Sequence, residues 1–197
     1  MAEQFIITIG REYGSGGITI AEILSDKFNI PLYNSNMLNI IAEEKGLNLD
    51  ELKKYDEKSR NIFLSRSVSG YSNSPEDTTA QMQFDFIKQK AESGESFVVL
   101  GRCGNYILKE HPRVIKIFVN ADMPEKIDRI SKIQQIPLES AKDIIQKKNK
   151  KRKTYHNYYC KDKWGDSRYY DIVINSSKLG IEKTADMLES YIKEVLK

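Results

Sequence analysis

The sequence predicts an α/β protein built on a five-stranded parallel sheet with helices on both faces. Three observations carry that prediction. Short runs rich in β-branched and aromatic residues recur along the 197 residues, and several are apolar at consecutive positions, as strands buried on both faces are. Helical periodicities lie between these runs, and strands that alternate with helices pair in parallel. The first run passes through a cluster of glycines straight into a helix, a turn that brings a backbone close to something.

The elements follow in order. Residues 5–9 form the first strand, and Gly14, Gly16 and Gly17 lead into a helix on which Ala21, Leu24 and Phe28 share one face. Residues 31–33 are a weaker strand, too short to assign from pattern alone. Residues 65–80, rich in Ser, Gly, Asn and Thr, predict a mobile excursion. Residues 97–100 and 114–119 are two further strands. Leu138, Ala141 and Ile145 mark another helix, after which residues 146–170 turn basic, then aromatic, then irregular around Trp164, Gly165 and Asp166. Residues 171–174 give the last strand, and Ile181, Ala185, Leu188, Ile192 and Val195 form the stripe of a closing helix. Neither irregular segment reads as a linker, so one domain over residues 1–197 is expected.

Composition narrows the class. The chain is 40% hydrophobic and 30% charged, ordinary for a globular protein. No apolar run approaches the roughly 18 residues of a membrane span, and the N-terminus carries no signal-peptide pattern. The two cysteines, Cys103 and Cys160, lack metal-ligand spacing and read as reduced thiols. A cytoplasmic protein with no membrane partner is expected. The net charge of +3 leaves 31 basic against 28 acidic residues. Residues 147–153, however, place six positive charges in seven positions. Such a run is a solvated helix face, a phosphate clamp or a nucleic-acid patch. Balanced charge elsewhere argues against nucleic acid as the partner.

The glycine turn resembles a phosphate-binding loop without obeying its usual pattern. In G-x-x-x-x-G-K-[S/T], backbone amides and a helix N-terminus surround phosphates. With Gly16 set at the second glycine, Arg11 stands at the first, Gly17 at the lysine and Ile18 at the hydroxyl. The mechanics survive: the glycines permit close approach, and the helix dipole favours an anion. Gly14, Ser15, Gly16, Gly17, Ile18 and Thr19 are therefore expected phosphate contacts. The missing element is a positive charge, and Arg11 is the nearest residue to supply it.

From here the chain resembles a known family. "ITIGREYGSGGITIAEIL" is similar to the opening of the cytidylate kinase-like family, a lysine-less branch of the P-loop nucleoside monophosphate kinases. The likeness continues in order through "IPLYNSNMLNIIAEEKG", "SFVVLGRCGNYIL", "VIKIFVNADMPEKIDRI", "NKKRKTYHNYY" and "YYDIVINSSKLGIE". It implies a three-layer P-loop kinase fold, an acceptor-side segment at about 34–95 and a basic lid at about 125–170. It also implies ATP-dependent phosphorylation of a nucleoside monophosphate, CMP or dCMP first, with Mg2+. Two alternatives stay open: a non-catalytic nucleotide-binding module, and a kinase of another small acceptor on the same scaffold. The oligomeric state is left open.

Phosphoryl transfer relies on alignment and charge neutralisation, so cations converging on one cleft are the expected machinery. Arg11 stands on the ATP side. Arg102 directly follows the strand at 97–100, and ligands of parallel sheets bind at the carboxyl ends of strands. The family's Gly-Arg-Asp at that place serves the acceptor; here Cys103 replaces the Asp. Arg152 matches the family's lid arginine, with Lys148 and Lys151 beside it, and Asn149 stands where relatives carry an acid. Arg129 is a further residue expected to face ATP. Asn34 falls where relatives have Asp near the acceptor, and the loop from Asn175 to Gly180 is expected to wall the adenine. Metal ligands are not assigned, although Thr19 or Ser15 could replace the missing hydroxyl. His111 and His156 read as surface or packing residues.

Overall fold

The computed structural model describes residues 3–58, 67–68, 71–72 and 74–197, the four residues at 67–68 and 71–72 by backbone alone. Its sheet holds five parallel strands: β1 (Ile6–Arg11), β2 (Leu32–Tyr33), β5 (Phe97–Leu100), β6 (Val114–Asn120) and β7 (Ile172–Asn175). The order is β2-β5-β1-β6-β7, with Ile6 opposite both Phe97 and Val114. A two-residue antiparallel pair, β3 (Ser67–Val68) and β4 (Tyr71–Ser72), stands apart from it. All five expected strands are present, including the short second one.

Side-chain alternation along each strand divides the sheet's two faces. Ile7, Ile9, Val98, Leu100 and Ile117 turn toward α1 (Gly17–Phe28) and α8 (Gly180–Val195), meeting Ile20, Leu24, Leu188 and Ile192. Ile6, Phe97 and Val99 point the other way, against α2 (Met37–Lys45) and α4 (Pro75–Glu92), where Leu38, Ile41 and Ile87 meet them. Removing one such side chain, as in Ile7→Ala, costs about 2–5 kcal/mol. This is a three-layer α/β arrangement. Leu138 and Val195, expected on buried stripes, are exposed because each is the terminal residue of its helix.

The expected excursion at 65–80 is corrected at its far end. Thr79 and Ala80 are buried on α4, which begins at Pro75. The Ser74 side chain caps the helix by accepting the Asp77 amide at 3.2 Å. Serine at the N-cap followed by proline in the first turn starts a helix well. Residues 59–66, 69–70 and 73 of this region lie outside the described residues.

The remaining elements bear on the site. The short helix α3 (Leu49–Tyr55) ends at Asp56, and α5 (Gly104–Ile107) follows β5 after three residues at positive φ, Gly101, Arg102 and Cys103. Helices α6 (Met123–Gln134) and α7 (Leu138–Tyr159) pack on each other through Ile130, Ala141 and Ile145. The basic run is thus part of one continuous helix. After α7 the irregular stretch packs Trp164 and Tyr170 on Phe118, at 5.3 and 5.1 Å between ring centres. No helix among the described residues is long and apolar enough to cross a membrane.

Candidate phosphate-binding site

The loop between β1 and α1 is held from three sides. Lys126 Nζ on α6 donates to Glu12 Oε2 at 2.5 Å, Arg129 Nη1 donates to the Gly14 carbonyl, and Ser176 Oγ donates to the Ser15 carbonyl at 2.7 Å. Ser15 is fully buried and donates its hydroxyl to the Glu12 carbonyl at 2.9 Å. Gly16, at φ 78, is the N-cap of α1 and offers no side chain to the first amides, of which Gly17's donates to Ser15 Oγ at 3.4 Å. Uncapped amides at a helix N-terminus suit an anion. They open on a cleft of about 270 Å³ lined by Gly14, Gly16, Gly17, Thr19, Arg129 and Ile133, among others.

Two glycines of different loops make a slot for Arg11. A Cβ on Gly17 would lie 2.6 Å from Arg11 Cβ, and one on Gly101 would fall on Arg11 Nη1. Threaded between them, Arg11 leaves the end of β1 and its Nη2 reaches Glu57 Oε1 at 3.4 Å. Glu57 is the focus of the site. Arg102 Nη1 donates to the same Oε1 at 2.5 Å, while Arg102 Nη2 donates to Asp56 Oδ2 at 2.7 Å. Arg152 Nε lies 4.0 Å from Glu57 Oε2. Arg152 also donates to the Arg11 carbonyl at 3.3 Å and sits over the Tyr13 ring at 5.4 Å. Guanidinia from β1, from the turn after β5 and from α7 thus converge on one carboxylate.

The charges respond accordingly. Burial works to raise the Glu57 pKa, but Arg102, then Arg11 and Arg152, outweigh it and hold the group at about 2. Burial, then the neighbouring Arg152, pushes Arg11 down to about 9. Arg152 is lowered mainly by burial. For Arg102 burial pulls down as well, yet Glu57 and Asp56 prevail and raise it. Arg102 is 4% exposed. Its backbone and that of Glu57 both sit at positive φ, 51 and 49, a strain of about 1–2 kcal/mol per residue.

Sequence-predicted residues separate into those the structure gathers and those it does not. Arg11, Arg102 and Arg152 meet, and the glycine loop with Ile18, Thr19 and Arg129 lines the adjoining cleft. Asn34 is elsewhere: it exchanges side-chain-to-backbone hydrogen bonds with Asn36 beyond β2. Asn175 donates to Asp122 Oδ1 at 2.6 Å and is not part of the cleft wall. Lys151 Nζ donates to the Asp56 carbonyl at 3.2 Å, and Lys148 lies over the Tyr13 ring at 5.9 Å. Cys103 is buried among Tyr155, Cys160 and Phe84 as a packing thiol, and the buried His156 faces Asn105 Oδ1 at 3.3 Å.

For a magnesium ion the donor set is thin. Among the described residues no group of three or more His, Cys, Asp and Glu side chains could hold a metal. Ser15 already uses its hydroxyl internally, which leaves Thr19 as the loop hydroxyl on the cleft wall.

The model of the cytidylate kinase-like family matches residues 6–178. The chain belongs to the cytidylate kinase-like family. A cytidylate kinase of Methanocaldococcus jannaschii is 27% identical over 196 residues, covering 98% of this chain and 99% of its own. The solved structure of an uncharacterized protein from Eubacterium ventriosum is 36% identical with a TM-score of 0.77, over 96% of this chain and 99% of that one. Shikimate kinase from Bacteroides thetaiotaomicron matches at TM-score 0.57 and 14% identity, over 96% and 98% of the two chains, a likeness of fold alone. Together these place the chain in the three-layer P-loop kinase fold.

Within this family member, several site residues escaped the sequence reading. Asp56 and Glu57 carry no periodic signal, and their partner lies 45 or more residues away. In sequence Asn149 is a departure from the family's acid, whereas in the structure its Oδ1 accepts the Tyr13 amide at 2.6 Å. Lys126 was legible in principle, because it stands three residues before Arg129 on one face of α6, and both grip the glycine loop.

Proposed function

We propose that this protein transfers a phosphoryl group from ATP to a nucleoside monophosphate, with CMP or dCMP as first acceptor. One observation carries the reading: three guanidinia from separate elements converge beside a helix N-terminus whose N-cap is a glycine with no side chain. Loop amides bind the donor's phosphate tail, and Arg129 keeps the loop in shape. Arg102 meets the acceptor's phosphate. Arg11 and Arg152, between the two, neutralise the charge that develops as an acceptor oxygen attacks the γ-phosphorus and ADP departs. Helix α7 covers the junction and excludes water. Magnesium, when bound, supplies charge neutralisation on the donor phosphates, and Thr19 is the residue suited to meet it. Asn34 and Asn175 are proposed as contacts at the acceptor and adenine ends, on their positions just past β2 and at the end of β7. On this reading residues 1–197 act as one domain.

The names of the archaeal relatives, cytidylate kinases, support CMP as the acceptor to test first. The experiment is ADP formation from ATP and magnesium with each monophosphate in turn. Turnover with CMP or dCMP upholds the proposal. ATP binding without ADP from any acceptor makes the chain a nucleotide-binding module, and ADP formed only with an unrelated acceptor makes it a different kinase.

A further inference from the structure

Glu57 is an unusual counter-ion. Arg11 and Arg102 share its Oε1, at 3.4 and 2.5 Å, and Arg152 faces its Oε2 at 4.0 Å. Among the described residues two carboxylates, Glu57 and Asp56, meet three guanidinia, and of the three Asp56 pairs with Arg102, its other oxygen accepting from Gln83 Nε2 at 3.2 Å. The centre is therefore short of negative charge. Guanidinium forks match the oxygens of a phosphate as well as those of a carboxylate. A phosphoryl dianion offers more oxygens and more charge to the same three donors than one carboxylate does.

The backbone gives the same impression of a seat borrowed by a side chain. Glu57 reaches the arginines from left-handed backbone, φ 49, that a residue with a Cβ adopts only under constraint. A place for the carboxylate to go adjoins it. Glu57 also lines an open hollow of about 390 Å³ whose walls carry Lys147, Lys150 and Lys151. A side-chain swing from the arginines to these lysines keeps the carboxylate among cations.

We propose that Glu57 occupies the seat of the acceptor's phosphate and leaves it for the lysine-lined hollow when a phosphoryl dianion binds. Glu57 is then a specificity-determining residue. It holds the three arginines together without substrate, and it yields to a doubly charged oxyanion but not to a singly charged one. This rests on the kinase reading in assigning the seat to an acceptor, but its test needs neither nucleotide nor turnover.

The experiment measures binding of inorganic phosphate to the parent and to Glu57→Gln by calorimetry, at about pH 8, where phosphate is mostly dianionic. Acetate serves as the singly charged control. Removing a resident competitor raises apparent affinity, since a ligand's affinity is reduced by the fraction of sites that are not competent. Phosphate should bind Glu57→Gln roughly tenfold tighter than the parent, and acetate should bind the parent no more than weakly. Phosphate held only at the glycine loop would bind both proteins alike, and equal or weaker binding by Glu57→Gln overturns the proposal. Should Glu57→Gln fail to fold, Glu57→Asp takes its place: its shortened side chain retreats from Arg11 and Arg152, so tighter phosphate binding upholds the proposal and unchanged binding overturns it. A protein that shows tighter phosphate binding yet forms no ADP would retain this inference and lose the kinase reading. Turnover with unchanged phosphate binding would do the reverse.

Discussion

Asn149 Oδ1 accepts the backbone amide of Tyr13 at 2.6 Å, joining α7 to the glycine loop across 136 residues of chain. The same loop residue lies under Arg152, and its hydroxyl accepts from Gln134 at 2.8 Å. Helices α6 and α7 are thus tied to the phosphate loop through one residue of it. A net hydrogen bond is worth about 1 kcal/mol, and a stranded amide costs more. Asn149→Leu should speed hydrogen exchange at the Tyr13 amide and lower turnover by roughly tenfold. Asn149→Asp keeps an acceptor in place and should retain most of the activity. Equal exchange in the leucine variant would show that the contact does not hold α7.

The Arg11 slot makes a prediction about glycine. Gly17 is not at positive φ, so its requirement is space alone: an added Cβ meets Arg11 Cβ at 2.6 Å. Gly17→Ala must displace either the helix start or Arg11. Overpacking of this kind costs about 1–3 kcal/mol, which urea denaturation will read. The displaced arginine should also weaken nucleotide binding, and Arg11→Ala should do so by roughly ten- to hundred-fold, the worth of a charge-assisted hydrogen bond. If Arg11→Ala binds ATP like the parent, Arg11 is not the replacement for the missing lysine.

These two contacts also mark where the sequence could and could not be read. The strands were legible because their residues must be apolar on both faces, and Ile6, Ile7 and Ile9 are buried as that demands. The arginines were legible by position: Arg11 ends β1 and Arg102 follows β5, and the two strands are paired neighbours. Partners were not legible. Glu57 acts through ion pairs to three arginines and Asn149 through one hydrogen bond, and contacts across such long separations leave no periodicity. The start of α4 had a signal, Ser74 followed by Pro75, which the polar residues around it obscured.

Acid should release the arginine cluster. The Glu57 pKa is lowered from 4.5 to about 2. A carboxyl with a depressed folded-state pKa binds fewer protons folded than unfolded. Its contribution is therefore complete above about pH 4.5 and is lost as pH falls toward about 2. Thermal unfolding followed across that window should show a steeper acid loss in the parent than in Glu57→Gln, which has no proton to take up there. Parallel curves would mean that Glu57 is not held by the arginines in solution.

Arg152 decides whether the basic run is a clamp or a solvated face. Of the six cations in residues 147–153, Arg152 is the partly buried one, and the five lysines are exposed. It bridges the Arg11 carbonyl, the Tyr13 ring and Glu57, so it stands where donor and acceptor phosphates would meet. A group in that position acts mainly on the transition state, where charge spreads over the transferring oxygens. Arg152→Ala should lower kcat by roughly a hundredfold, the cost of one lost donor to a developing oxyanion. ATP affinity should change by no more than about threefold, because the glycine loop and Arg11 hold the donor. The fold should survive the change: Arg152 is, after burial, the largest cause of the lowered Arg11 pKa, so its removal relieves a like-charge contact. Amides of residues 146–163 should exchange more slowly when a bisubstrate analogue binds the parent, and the alanine variant should lose part of that protection. Unchanged turnover in Arg152→Ala would reduce the run to a solvated helix face.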